Sequence, residues 1–230
     1  MPSFNHHSGS KSSPLRGGFT LVELIVVLAI MAILAVLTVP SIKGTLDSIN
    51  LKGAANMTVG QLELARQTAI TRNVQVEFRV YADPTTLDGV ANAYRIIAIV
   101  VPASFTGAAS DQYISPAIGL PPDTVFDQSS AYTYSTLLDP SKLDASSVTR
   151  QATGSSSDPL QLQNRVYMKI TFLPNGTLNL ADTSATAGTW CLTLRNLHAK
   201  AVTTPNPAPA ANYISMVLDP ATSRARVYQP

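Results

Sequence analysis

One stretch of the chain departs from the rest in its pattern of apolar and polar positions. From Phe19 to Val39 the only polar side chains are Thr20, Glu23 and Thr38. As a helix this run would span about 31 Å, close to the thickness of a bilayer's hydrocarbon core. The segment before it, Met1–Gly18, is short and polar, with Lys11 and Arg16 and no acidic residue. A positive flank ahead of an apolar segment predicts a cytoplasmic N-terminus and a translocated C-terminal bulk. Pro40 closes the apolar run, and a proline there predicts a kinked or loosened helix.

From Ser41 to about Arg72 the pattern predicts that the helix continues in amphipathic form. Ile42, Leu46 and Ile49, then Ala55, Leu62, Ala65 and Ala69, recur at helical spacing and are expected to pack on a globular domain. Gly44, Gly53 and Gly60 lower helix propensity along this stretch. After Asn73 the period changes to two. Val74, Val76, Phe78 and Val80 alternate with Gln75, Glu77, Arg79 and Tyr81, the mark of a half-buried strand. Ala93–Val101 predicts a second, central strand, and Val166–Phe172 a third that runs through the Asn175-Gly176 turn into Thr177–Leu180. Trp190–Arg195, Tyr213–Leu218 and Arg224–Tyr228 complete the set, the last two joined through Asp219–Ser223. Residues 102–164 are rich in Pro, Ser, Thr, Ala and Asp and read as a long, variable loop region, with a candidate strand at Tyr132–Leu138. Thr203–Ala211 reads as an extended proline-rich loop. The fold class is therefore α+β: a long N-terminal helix, transmembrane in its first half, packed on an antiparallel β-sheet domain.

An ordinary secretory signal would have a shorter apolar core and a small-x-small cleavage site, and Leu37-Thr38-Val39-Pro40 is a poor site of that kind. A plain signal anchor fits the length and the flanking charge but leaves Glu23 unexplained, because a carboxylate within an apolar helix is costly without a partner. The motif Gly17-Gly18-Phe19-Thr20-Leu21-Val22-Glu23 resembles the prepilin cleavage and methylation site of type IV pilins and type II secretion pseudopilins. That resemblance implies cleavage after Gly18 by a prepilin peptidase that also N-methylates the new N-terminus, Phe19. It places Glu23 at the family's acidic assembly position, where the carboxylate pairs with the ammonium of a neighbouring subunit's Phe19 or of its own. The proline of this family stands here as Pro40. The order of elements and the hairpin Phe172-Leu173-Pro174-Asn175-Gly176 resemble the GspH/FimT branch. The implied partners are other pilin or pseudopilin subunits and an inner-membrane assembly platform, and the implied location is the inner membrane with a periplasmic globular domain. The implied divisions are a leader at 1–18, a membrane segment at 19–39, an amphipathic continuation at 40–72 and a β-rich domain at 73–230.

Composition narrows the chemistry further. Charged residues make up 13% of the chain and the net charge is +2, which argues against a broad nucleic-acid-binding face. Loss of Lys11 and Arg16 with the leader brings the formal charge to zero. No catalytic motif, cofactor or metal-ligating set is legible. Cys191 is the single cysteine and reads as a small buried hydrophobe, and His198, the one histidine beyond the leader, as a loop or strand-end residue. Asp83 and Asp88 lack enough acidic neighbours for a calcium loop. Arg224-Ala225-Arg226 resembles the Gly-Arg-x-Arg motif of DNA-binding minor pilins in uptake systems, with Ser223 in place of the glycine. Two arginines supply only a pair of phosphate contacts, and the competing reading is a solvated terminal strand.

Overall fold

The structure is a computed structural model. It describes residues 18–84, 93–127, 135–138, 151–179, 190–198 and 212–229, with the side chains of 36–43 and 151–152 outside that set. Asp88, Tyr132–Tyr134 and Thr203–Ala211 therefore lie outside the described residues, as do the leader up to Gly17 and Leu180. The chain divides into two compact units, Met1–Gly44 and Thr45–Pro230.

Helix α1 runs from Leu21 to Arg72 and is helical through Pro40, whose side chain and any bend there lie outside the described residues. Within the larger unit its buried face is Leu51, Ala54, Ala55, Thr58, Leu62, Ala65, Thr68 and Ala69, spaced by three and four residues. This corrects the expected stripe. Leu46 and Ile49 are 53% and 59% exposed, and burial begins only at Leu51. Thr58 and Thr68 satisfy their buried hydroxyls by donating to the Ala54 and Leu64 carbonyls at 2.8 and 2.7 Å. Asn73 ends the helix in the left-handed conformation (φ 53°), with the Val74 N–H reaching back to the Ala69 carbonyl at 3.2 Å.

Eleven strands and one short helix follow among the described residues: β1 (Val76–Asp83), β2 (Ala93–Val101), α2 (Ala103–Thr106), β3 (Gln112–Tyr113), β4 (Ile118–Gly119), β5 (Thr124–Phe126), β6 (Gln151–Thr153), β7 (Val166–Phe172), β8 (Leu178–Asn179), β9 (Cys191–Asn196), β10 (Tyr213–Leu218) and β11 (Ala225–Tyr228). All pairings are antiparallel. They form two sheets, one ordered β3-β2-β1-β7-β6 with β4 on β2 and β8 on β7, the other ordered β11-β10-β9-β5. β1, rather than β2, is the central strand of the first sheet.

Both sheets share one core with α1. Phe78, Val80, Ile97, Ile99, Met168, Ile170 and Phe172 from the first sheet meet Leu192, Leu194, Ile214, Met216 and Leu218 from the second. The region expected to be loop contributes to this core. Leu120, Phe126, Leu137 and Leu138 are each 3% exposed or less, and Ser135–Leu138 forms a turn rather than a strand. Its apolar residues fall in short runs of one or two, such as Val125-Phe126 and Leu137-Leu138, too short to carry a period, so their burial depends on the scaffold.

Candidate functional site

The N-terminal site is built on the first turn of α1. Gly18 and Phe19 precede the helix and both are exposed, Phe19 by 87%. Thr20 caps the helix. Its Oγ1 accepts the Glu23 N–H at 3.2 Å, while Glu23 Oε2 accepts the Thr20 N–H at 2.9 Å and its hydroxyl at 3.0 Å. This reciprocal arrangement is a capping box, which satisfies two orphan donors of the first turn. The pattern Thr20-x-x-Glu23 ahead of an apolar run is its signature, and the sequence reading, concerned with partners for a membrane carboxylate, missed it. Beyond it, every described side chain from Leu21 to Ala35 is exposed, Leu21 by 74% and Ile33 by 63%. Apolar surface on this scale is covered in a working protein by lipid or by other helices. Among the described residues no helix is long and apolar enough to cross a membrane, and the described side chains of the run stop at Ala35.

The C-terminal pair lies on the hairpin β10–β11. Asp219 N–H donates to the Arg224 carbonyl at 3.0 Å and Ser223 N–H to the Asp219 carbonyl at 2.7 Å, which closes a four-residue loop. Ser223 sits at φ 56°, a conformation that glycine adopts at least cost. Its buried hydroxyl donates to the Gly176 carbonyl at 2.7 Å, tying the hairpin to the β7–β8 turn. Arg66 Nε, on α1, donates to the Thr222 carbonyl at 2.9 Å. The Thr222 hydroxyl and the Ala221 amide hold the exposed Asp219 carboxyl below its ordinary pKa. Arg224 and Arg226 are both exposed.

A buried polar layer lies on the face of the first sheet that turns away from α1. The alternation in β1 predicted that Glu77, Arg79 and Tyr81 face water, but their side chains are buried. Arg79 bonds Glu77 Oε2 through Nε at 2.7 Å and Asp111 Oδ2 through Nη2 at 2.6 Å, and its guanidinium carbon lies 4.6 Å from the Tyr167 ring centroid. Lys169 Nζ reaches Glu77 Oε1 at 2.7 Å. Asp111 also accepts the Ala103 N–H at 2.9 Å, so the same ion binds the strand to the segment that covers it. Burial weakens the hold of Arg79 on its proton, yet Glu77 and the neighbouring tyrosines more than offset that and leave it raised. Burial pushes Tyr167 up to about 12 and raises Tyr81 and Tyr113, whose hydroxyls lie 3.3 Å apart. Tyr113, Ala117 and Leu162 complete the layer.

The remaining candidates are scattered. Cys191 is buried on β9, next to the Thr136 hydroxyl, which accepts its N–H at 2.8 Å. His198 follows β9 at the surface with Nε2 3.3 Å from Asp123 Oδ1. Asp83 lies 3.9 Å from Arg165. Among the described residues no group of three or more His, Cys, Asp or Glu is placed to hold a metal ion.

Comparison with known families bears on both ends of this description. Residues 14–39 match the prokaryotic N-terminal methylation motif, and residues 54–205 match the type II transport protein GspH. No curated protein matches the chain, and no solved structure does. The second match covers more than half of the chain, including the buried face of α1 from Ala54 on, both long strands of the first hairpin and β9. A methylation motif, a long N-terminal helix and an antiparallel domain accord with the resemblance read from the sequence: the chain belongs to the GspH family of type II transport proteins.

Proposed function

We propose that the chain is the precursor of a minor pilin-like subunit, cut after Gly18, N-methylated on Phe19 and held in the inner membrane by residues 19–39 until it joins a pseudopilus or pilus. The periplasmic part then comprises the helix continuation at 40–72 and the β-rich domain at 73–230. The observation that carries this reading is the exposed apolar face of α1 directly behind Gly18-Phe19, interrupted only by a carboxylate in its first turn. Its partners on this reading are a prepilin peptidase, the other subunits and the assembly platform, and its role is structural rather than catalytic.

The capping box sharpens the role of Glu23. In the precursor Glu23 Oε2 accepts both bonds from Thr20, which reduces the cost of the carboxylate but leaves its charge without a cation. Cleavage creates an ammonium at Phe19, one residue before the cap, and a neighbouring subunit brings another. A carboxylate held toward the helix end is placed to receive either and so to fix axial register between apolar helices that otherwise slide.

Co-expression with a prepilin peptidase, followed by intact-mass analysis, tests the processing step. The expected product begins with N-methyl-Phe19, and a product starting elsewhere refutes the reading. For Glu23→Ala, cleavage and insertion are expected to persist while crosslinking to partner subunits falls. Undiminished crosslinking with normal assembly would mean that Glu23 serves only its own cap. A second reading, a DNA-binding minor pilin, draws on the exposure of Arg224 and Arg226 and on the left-handed Ser223. Gel shifts with the processed chain decide it, an Arg226→Ala variant serving as the control.

A further inference from the structure

The outer edge of β11 pairs with no strand among the described residues. We infer that it takes an extended, acidic segment of a partner protein by β-strand addition, a role separate from the membrane helix and independent of the filament reading. The alternation of antiparallel bonding fixes which groups are available. Asp219 and Arg224 form a hydrogen-bonded pair, so the next such pairs are Val217–Arg226 and Ser215–Tyr228. The backbone groups of Arg224, Arg226 and Tyr228 thus turn toward β10. Those of Ala225 and Val227 turn outward, and among the described residues no strand pairs with that edge.

Side chains complete the specification. Ala225 and Val227 stand on the same face as Met216 and Leu218, which are buried in the core at 0% and 1% exposure. Val227 is nevertheless 49% exposed, because the sheet ends beside it. One more strand would bring an apolar residue over Val227 and extend the core. On the opposite face Arg226 projects among exposed neighbours, with Arg224 two residues away. Those cations favour carboxylates on the incoming strand at cross-strand positions. The edge is also preorganised, since the Ser223–Gly176 and Arg66–Thr222 bonds fix the hairpin before any partner arrives.

Charge also selects among occupants. In an antiparallel pairing of two copies through β11, the registers that set Ala225 against Val227 or against itself place Arg226 opposite Arg226 or Arg224, and the register that sets Val227 against itself places Arg226 opposite Tyr228. Like charges directly opposite destabilise a sheet, so most registers of a second copy are disfavoured and none offers the arginines a carboxylate, which an acidic strand of another protein supplies.

The test uses the full chain in detergent and two labelled peptides with the same apolar alternation, TVEVEVT and TVKVKVT, followed by fluorescence anisotropy. The acidic peptide is expected to bind at least tenfold more tightly than the basic one. Val227→Pro removes an outward N–H without touching the β10 ladder, so it leaves the fold's circular dichroism unchanged and abolishes binding. Should that variant misfold, Arg226→Glu replaces it and is expected to reverse the peptide preference. Equal binding of both peptides, no binding of either, or binding that survives these variants overturns the inference. So does a single-stranded oligonucleotide that outcompetes the acidic peptide and is indifferent to Val227→Pro, which would make the arginines a nucleic-acid contact.

Discussion

Removing the Glu77 carboxylate is the most informative perturbation of the globular unit. Glu77 and Arg79 have side chains 5% and 4% exposed, and Glu77 is bonded to Arg79 and Lys169 at 2.7 Å each. In Glu77→Ala the guanidinium stays buried with Asp111 as its one remaining carboxylate among the described residues, while Lys169, 24% exposed, can turn to water. Breaking a buried pair from one side costs about 3–5 kcal/mol, and the surviving Asp111 bond puts this site near the lower bound. At about 2–4 °C per kcal/mol for a unit of this size, the melting temperature falls by about 6–12 °C. The assay is thermal unfolding of Thr45–Pro230 by circular dichroism, with Lys169→Met as a control expected to cost about 1 kcal/mol or less. A double-mutant cycle with Arg79→Met then isolates the coupling, expected within about 0.5–3 kcal/mol. If Glu77→Ala costs no more than Lys169→Met, the layer is open to water in solution and Arg79 does not depend on Glu77.

Two further outcomes follow from single positions. A Cβ on Gly154 would collide with the Leu162 carbonyl oxygen, which is backbone and cannot swing aside, so Gly154→Ala is expected to destabilise the 154–165 loop by about 1–3 kcal/mol. Faster amide exchange at Leu162 and Asn164 would register it, and wild-type protection there would refute it. At the β10–β11 hairpin the carboxyl of Asp219 titrates below its ordinary value, so its contribution is present above the ordinary aspartate pKa and lost as pH falls through the lowered one. Thr222→Val removes the largest cause, and an NMR titration is expected to show Asp219 moving back up; an unchanged midpoint would mean that the hydroxyl bond is not populated.

What the sequence determined by itself is everything that rests on local pattern. The apolar run, the Gly18-Phe19 junction and the Thr20–Glu23 cap lie within a few residues of one another, and the cap was legible although unread. The strands Ala93–Val101, Val166–Phe172 and Tyr213–Leu218 stand where alternation and composition place them, and the Asn175-Gly176 turn closes with Gly176 at φ 83°. Tertiary structure alone decided which helix face is inside. At 3.6 residues per turn Leu46 and Ile49 lie on the opposite side of the helix from Leu51, Ala54, Leu62 and Ala65, and the sheets lie only under the second set. It also decided the fate of the second face of β1. Glu77 and Arg79 read as solvent-facing because a charged residue is rarely buried without partners. Their partners, Lys169 and Asp111, stand 92 and 32 residues away, and no local period can announce a neighbour brought there by the fold.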